Sequence, residues 1–207
     1  MKNISLITIV FVLISIPSFS QKTNSKTDTI SQFKYTINST YLTFTNFDPE
    51  GATIYEAHFG YRITRKDMIG IKVVTWKLVA PLGIPWGPYL MNESENYSGA
   101  LRESGIGITY QRFLWKGLYA SIEVAPLIKK YLNENNEKLD GGFRLYTSYH
   151  LGYYIPLFKN RLYIQPQIHC NYWPINTKSP DGFAEQDLKW NNKYFLFEPN
   201  LYIGVNF

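Results

Sequence analysis

Cysteine is almost missing from this chain: Cys170 is the one residue of its kind, which excludes an intramolecular disulfide and leaves the fold without a covalent staple. Charge is scarce as well. Asp, Glu, Lys and Arg make up 18% of the residues, against 17% aromatics, which argues against a disordered chain and for an aromatic-rich β protein. The net charge is +5, yet no run of Lys or Arg exists, so a nucleic-acid partner is not expected. The excess fits solubility first and attraction to an anionic lipid surface second. After residue 20 no apolar stretch reaches the length of a membrane-spanning helix. No helical periodicity persists for three turns, which leaves strands as the regular element.

The first twenty residues stand apart. Met1-Lys2-Asn3 gives a short positive start, Ile4 to Ile16 is almost unbroken apolar sequence, and Ser18 and Ser20 supply small residues. This pattern predicts a secretory signal peptide over 1–20, cleaved before Gln21. The apolar run is too short to cross a bilayer core of about 30 Å as a helix, and no Cys follows it to carry a lipid. Residues 21–32 read as a short N-terminal segment, and 33–207 as one domain.

What recurs through that domain is period-two alternation in segments of about ten residues. Tyr55, Ala57, Phe59, Tyr61 and Ile63 alternate with Glu56, His58, Gly60 and Arg62. The same rhythm runs through 68–78, 105–112, 118–125, 143–155, 161–172 and 195–207. An eighth strand is expected over 33–47, where Leu42 and Phe44 fall on the opposite parity to Phe33, Tyr35 and Ile37. A bulge near Ser39 or Thr40 would reconcile them. Pro166 and Pro199 interrupt two of these strands, and a closed barrel has no free edge for a missing N–H. Bulges or earlier strand ends are expected at both.

Connection lengths give an independent test. The turns at 65–67, 114–117 and 156–160 are short and fall on one side. The links 48–54, 79–104, 126–142 and 173–193 fall on the other and are mostly long. Outer-membrane barrels have short periplasmic turns and long outer loops, whereas a soluble sandwich has no physical reason for that asymmetry.

Energetics then sort the faces. One face of each strand carries no Asp, Glu, Lys or Arg in its middle, where a Lys or Arg at a bilayer midplane would cost about 2–4 kcal/mol. The opposite faces collect Glu56, His58, Arg62, Lys72, Gln111, Glu123, Arg144, His150, Gln165, His169 and Glu198. We expect these to form a paired polar network inside a lumen, because eight strands leave room only for side chains. Aromatic girdles are expected at Trp115, Phe158, Tyr35 and Phe207 on the short-turn side, and at Tyr41, Trp76, Tyr172 and Trp173 on the other.

Candidate chemistry is thin. His58, His150 and His169 share inward parity, but His150 counts about five residues above its turn and His169 about nine. At roughly 3.3 Å per residue their heights differ by about 13 Å, too far for one metal ion, so neither metal nor cofactor is expected. No histidine falls in the long loops, and nucleophilic catalysis needs a base beside the nucleophile, so no catalytic residue is assigned. The loop from Val79 to Met91 carries three prolines with Trp86 and Tyr89; it reads as a lid over the barrel mouth, with Trp173 and Trp190 packed against it, or as a contact surface.

The closing segment has Phe195, Phe197, Leu201, Ile203, Val205 and Phe207 on one face and stops on the aromatic Phe207. It resembles the last strand of Gram-negative outer-membrane β-barrels, where Leu201, Ile203, Val205 and Phe207 would act as the assembly signal. Across the mature length the chain resembles small barrels of the OmpX type. That resemblance implies an all-β, eight-stranded antiparallel up-and-down transmembrane barrel with a plugged polar lumen, located in the cell outer membrane. Its implied partners are outer-membrane lipid and lipopolysaccharide and the barrel assembly machinery, with the chain as a monomer. The implied role is envelope-structural or surface-interacting and non-enzymatic. An outer-leaflet hydrolase or acyltransferase, or a narrow transporter, are the alternatives.

Overall fold

The computed structural model describes residues 33–47, 52–79, 99–177, 180 and 194–207; for Val79 and 194–198 it describes the backbone alone. The segments 1–32, 80–98 and 181–193, which carry the expected signal peptide, Trp86, Tyr89 and Trp190, lie outside the described residues.

The strands are β1 (Tyr35–Thr40), β2 (Thr53–Arg62), β3 (Asp67–Val79), β4 (Ala100–Trp115), β5 (Leu118–Leu132), β6 (Lys138–Tyr153), β7 (Ile155–Leu157), β8 (Leu162–Asn176) and β9 (Tyr194–Asn206). Every pairing is antiparallel, and the order β6-β5-β4-β3-β2-β1-β9-β8-β7 is closed by a further β6–β8 ladder. β7 continues β6 along the same edge of β8, so the two make one stave. The result is a closed, eight-stranded, antiparallel, all-β barrel, in which every stave has a neighbour on both sides without a covalent link.

The expected bulge in the first strand is replaced by a helix. β1 ends at Thr40 and a 3-10 helix follows over Tyr41–Phe47. A tight helical turn reverses side-chain parity as a bulge would, which is why Leu42 and Phe44 break the alternation. Thr45 anchors it by donating to the Leu42 and Ala52 carbonyls.

Neither proline carries the expected bulge, since both sit in the unbroken register of β8 with β9, as Pro166↔Leu201 and Ile168↔Pro199. The β6–β8 pairing stops at Gly152↔Gln167 and resumes in β7 at Ile155↔Ile164. The missing rungs lie beside Pro166, which has no N–H to give them. β9 meets β1 only as far as Thr40↔Tyr202, so Pro199 lies where β1 has already left the sheet.

One expected long loop is a hairpin. β5 and β6 stay paired to Leu132↔Lys138, so the link expected over 126–142 shrinks to 133–137. Strands β4, β5 and β6 run to 16, 15 and 16 residues, well past their apolar stretches. At the other end the turns are tight. Phe158, Lys159 and Asn160 all have positive φ, each at a cost of about 1–2 kcal/mol for a non-glycine residue. Asn160 offsets part of this by accepting a hydrogen bond from the Tyr154 hydroxyl and, at its carbonyl, from the Asn206 amide.

Candidate functional site

Alternation along each strand fills the lumen, and three layers result. At the turn end Met68, Phe113, Tyr119, Tyr154 and Tyr163 pack together, with the Arg62 guanidinium 5.2 Å from the Phe113 ring centre. The tyrosine hydroxyls are satisfied within the layer: Tyr119 donates to Gln167 Oε1 (2.7 Å), and Asn38 Nδ2 donates to the Tyr163 hydroxyl (2.9 Å).

A belt of charge crosses the middle. Lys72 Nζ lies 2.7 Å from Glu123 Oε2 and 3.3 Å from Glu56 Oε1. His58 Nε2 lies 2.7 Å from Glu56 Oε1, and its Nδ1 3.5 Å from Glu123 Oε1. The Tyr202 hydroxyl donates to Glu56 Oε1 at 3.2 Å and to Glu123 Oε1 at 3.5 Å. His150 Nε2 stands 3.6 Å from Glu123 Oε1. These side chains come from β2, β3, β5, β6 and β9, so the belt ties opposite walls together. Lys72 sits 2% exposed and Glu123 3%; charges this deep survive only when paired and hydrogen-bonded.

Above the belt the lumen turns aromatic and aliphatic. Ala52, Ile54, Leu78, Leu101 and Tyr131 form one cluster, and Val74, Ala125, Leu127 and Tyr146 another, with Trp76 and Trp173 packed on them. A second ion pair, Arg144 Nη1 to Glu103 Oε1 at 3.2 Å, crosses this layer. Arg144 lies over the Trp173 ring and Lys72 over Trp76 and Tyr146, all within 5.2 Å of the ring centres. Side chains leave a cavity of about 90 Å³ here and one of about 40 Å³ below the belt, among Thr36, Asn38, Gln111 and Gln167.

Several expected positions are brought together: Glu56, His58, Lys72, Glu123 and His150 in the belt, Arg144 above it, and Gln165 donating to Gln111 at 3.3 Å below it. The histidine heights need correction. His150 and His169 face each other directly in the β6–β8 register, with ring centres 5.3 Å apart. Counting from a turn that began at Pro156 misplaced His150, because the stave continues through Pro156 and Leu157 in β7. Even so, no group of three or more His, Cys, Asp or Glu side chains among the described residues is placed to hold a metal ion. Glu198 lies opposite His169 along the β8–β9 ladder, but its side chain is outside the described residues. Trp76 and Trp173 are corrected too: both point into the lumen rather than joining an outer girdle.

Sequence reasoning missed Glu103 and Lys129, both 1% exposed or less. Carrying the alternation of Gly105 and Gly107 back by two residues, and that of Glu123 and Ala125 forward by four, would have found them. Ser121 pairs with His150 in register, but neither ring nitrogen of His150 makes a hydrogen bond, so no activated nucleophile is built there.

At the turn end, outside the apolar span of the strands, Asp67 accepts from Thr64 (2.6 Å), Tyr110 (2.7 Å) and Arg112 (2.7 Å). The Thr64 and Tyr110 hydroxyls, with the Arg112 charge, hold its carboxyl below the usual aspartate value of 3.8.

Comparison of the chain with protein-family models, with curated proteins and with solved structures finds no match.

Proposed function

We propose that the chain is an outer-membrane β-barrel with a non-enzymatic role, envelope-structural or surface-interacting, carried by its longer loops. The observation that carries this reading is the outer surface. Directly paired residues Ile37, Phe59, Ile71, Ile108 and Val124 run from strand to strand across β1 to β5, and Leu151 pairs with Ile168 on the far side. Ile108 is 68% and Leu151 56% exposed. A monomer in water rarely leaves an apolar surface this extensive bare, whereas hydrocarbon would cover it at no cost.

The height of the band supports the same reading. On β3 the outward charges Asp67 and Lys77 bracket Ile69, Ile71, Val73 and Thr75. Ten residues at about 3.3 Å, in strands tilted by about 40°, give roughly 25 Å, the height of the lipid-facing band of such barrels. Exposed Tyr35, Trp115, Phe158 and Phe207 gather at the turn end, as an interfacial girdle would. Among the described residues the lumen is filled, which favours this reading over a narrow transporter, and no nucleophile is assembled, which favours it over an outer-leaflet hydrolase or acyltransferase.

The test is electrophoresis of the full chain in detergent, with and without boiling. Faster migration of unboiled protein, together with insertion into lipid vesicles, is expected. A chain that stays soluble without detergent and shows no such shift would refute the reading.

A further inference from the structure

The outer surface carries a feature that the linear sequence disperses. At the loop end of the apolar band, Lys77 on β3 lies directly opposite Arg102 on β4, and Arg102 directly opposite Lys130 on β5. Opposed residues on one face have Cβ atoms about 4.5–5.5 Å apart, and like charges there repel. Lys130 pairs in turn with Gly141 on β6, and Lys138 Nζ lies 3.5 Å from the point a Cβ on Gly141 would occupy. Four cations thus line one rim.

Glu103, Glu137 and Asp140, which lie nearby, have partners of their own. Glu103, behind Arg102, faces inward to Arg144. Glu137 accepts from Asn133, and Asp140 accepts from the Gly141 N–H. A polar partner of the row is neutral: Lys77 Nζ donates to Asn136 Oδ1 at 2.6 Å. No ion pair relieves the repulsion among the described residues. Directly beneath lie the Thr75 and Ser104 hydroxyls, 2.8 Å apart, with Ile128 opposite Ser104 on the same rung, and then Val73 and Ile106.

We propose that Lys77, Arg102 and Lys130 form a binding site for the phosphate of an anionic lipid in the loop-side leaflet. The proposal rests on the membrane reading above and adds the ligand group and the residues that hold it. A phosphate accepts paired hydrogen bonds from a guanidinium and point-charge contacts from two ammonium groups. Cations set above hydroxyls and aliphatic side chains match a headgroup joined to acyl chains, rather than a soluble anion, which would have no use for the apolar surface below.

The experiment uses the full chain folded in detergent and titrated with diphosphorylated lipid A, with the dephosphorylated lipid or inorganic phosphate as comparison ligands, and reads bound lipid by native mass spectrometry. Wild type should retain the phosphorylated lipid at least tenfold better than the dephosphorylated one, and should not retain inorganic phosphate. The triple variant K77Q/R102Q/K130Q should lose that preference, while K66Q/K116Q/K159Q at the turn end should keep it. R102Q alone should weaken retention severalfold, which keeps the test open if the triple variant does not fold. Equal retention of both lipids, equal loss in the turn-end variant, or retention of inorganic phosphate alone would overturn the proposal. Failure of wild-type protein to enter lipid at all would instead overturn the membrane reading.

Discussion

Strands β3, β4 and β5 carry two different surfaces on alternate residues. Inward, Lys72, Glu103, Glu123 and Lys129 are buried and reach across the lumen to partners far away in sequence, such as Lys72 to Glu123. Outward, Ile71, Ile106, Ile108 and Ile128 make only neighbour contacts along the ladder and stay exposed. The backbone is common to both, so the difference lies entirely in what each face meets. The inner face supplies its own counter-charges and closes the barrel against itself. On the proposed reading, hydrocarbon completes the outer face.

The sharpest way to break the comparison is to open the belt. Lys72→Met leaves Glu56 and Glu123 buried without their shared cation and should cost about 3–5 kcal/mol of stability, measured by urea unfolding in lipid vesicles. Adding Glu123→Gln should recover part of that loss. A similar cost for Lys66→Met, at the exposed turn, would show that the belt is not special.

The outer face should respond next most strongly, and only in lipid. Ile108→Lys should cost about 2–4 kcal/mol in vesicles, but leave the midpoint nearly unchanged if water covers that surface. The inner wall should also resent added volume. A methyl on Gly107 would fall 2.6 Å from Ala125 Cβ and 2.7 Å from the Val124 carbonyl. Gly107→Ala should therefore cost about 1–3 kcal/mol, whereas Ala120→Gly on the outer face should cost less.

The smallest effect belongs to the turn. The folded carboxyl of Asp67 is held below 3.8, so its contribution is present above that value and fades as pH falls through the lowered one. Unfolding midpoints should drop slightly as pH falls from about 5 to below 3, and that part of the drop should vanish in Asp67→Asn.

The two faces differed in how far the sequence disclosed them. Parity was readable because a strand's period is fixed at two, so one clear run, such as Tyr55 to Ile63, assigns every residue in it. Strand ends were not, because apolar residues stop where the band stops while the ladder continues. The polar tops of β4, β5 and β6 therefore read as loop, and Glu103 and Lys129 went with them. Heights across the barrel were harder still. They depend on register, and two residues of β7, Pro156 and Leu157, taken for a turn moved His150 away from His169. The row of Lys77, Arg102 and Lys130 was illegible for the same reason: only strand pairing brings those positions together.

The central claim, a hydrocarbon-facing exterior around a paired polar lumen, is tested most directly by nitroxide labels placed one at a time in lipid vesicles. Labels at Phe59, Ile108, Leu151 and Ile203, in a Cys170→Ser background, should collide readily with oxygen and hardly with a water-soluble nickel chelate, while a label at Arg65 should show the reverse. Labels at those four positions that meet the nickel chelate as freely as the one at Arg65 would contradict the account.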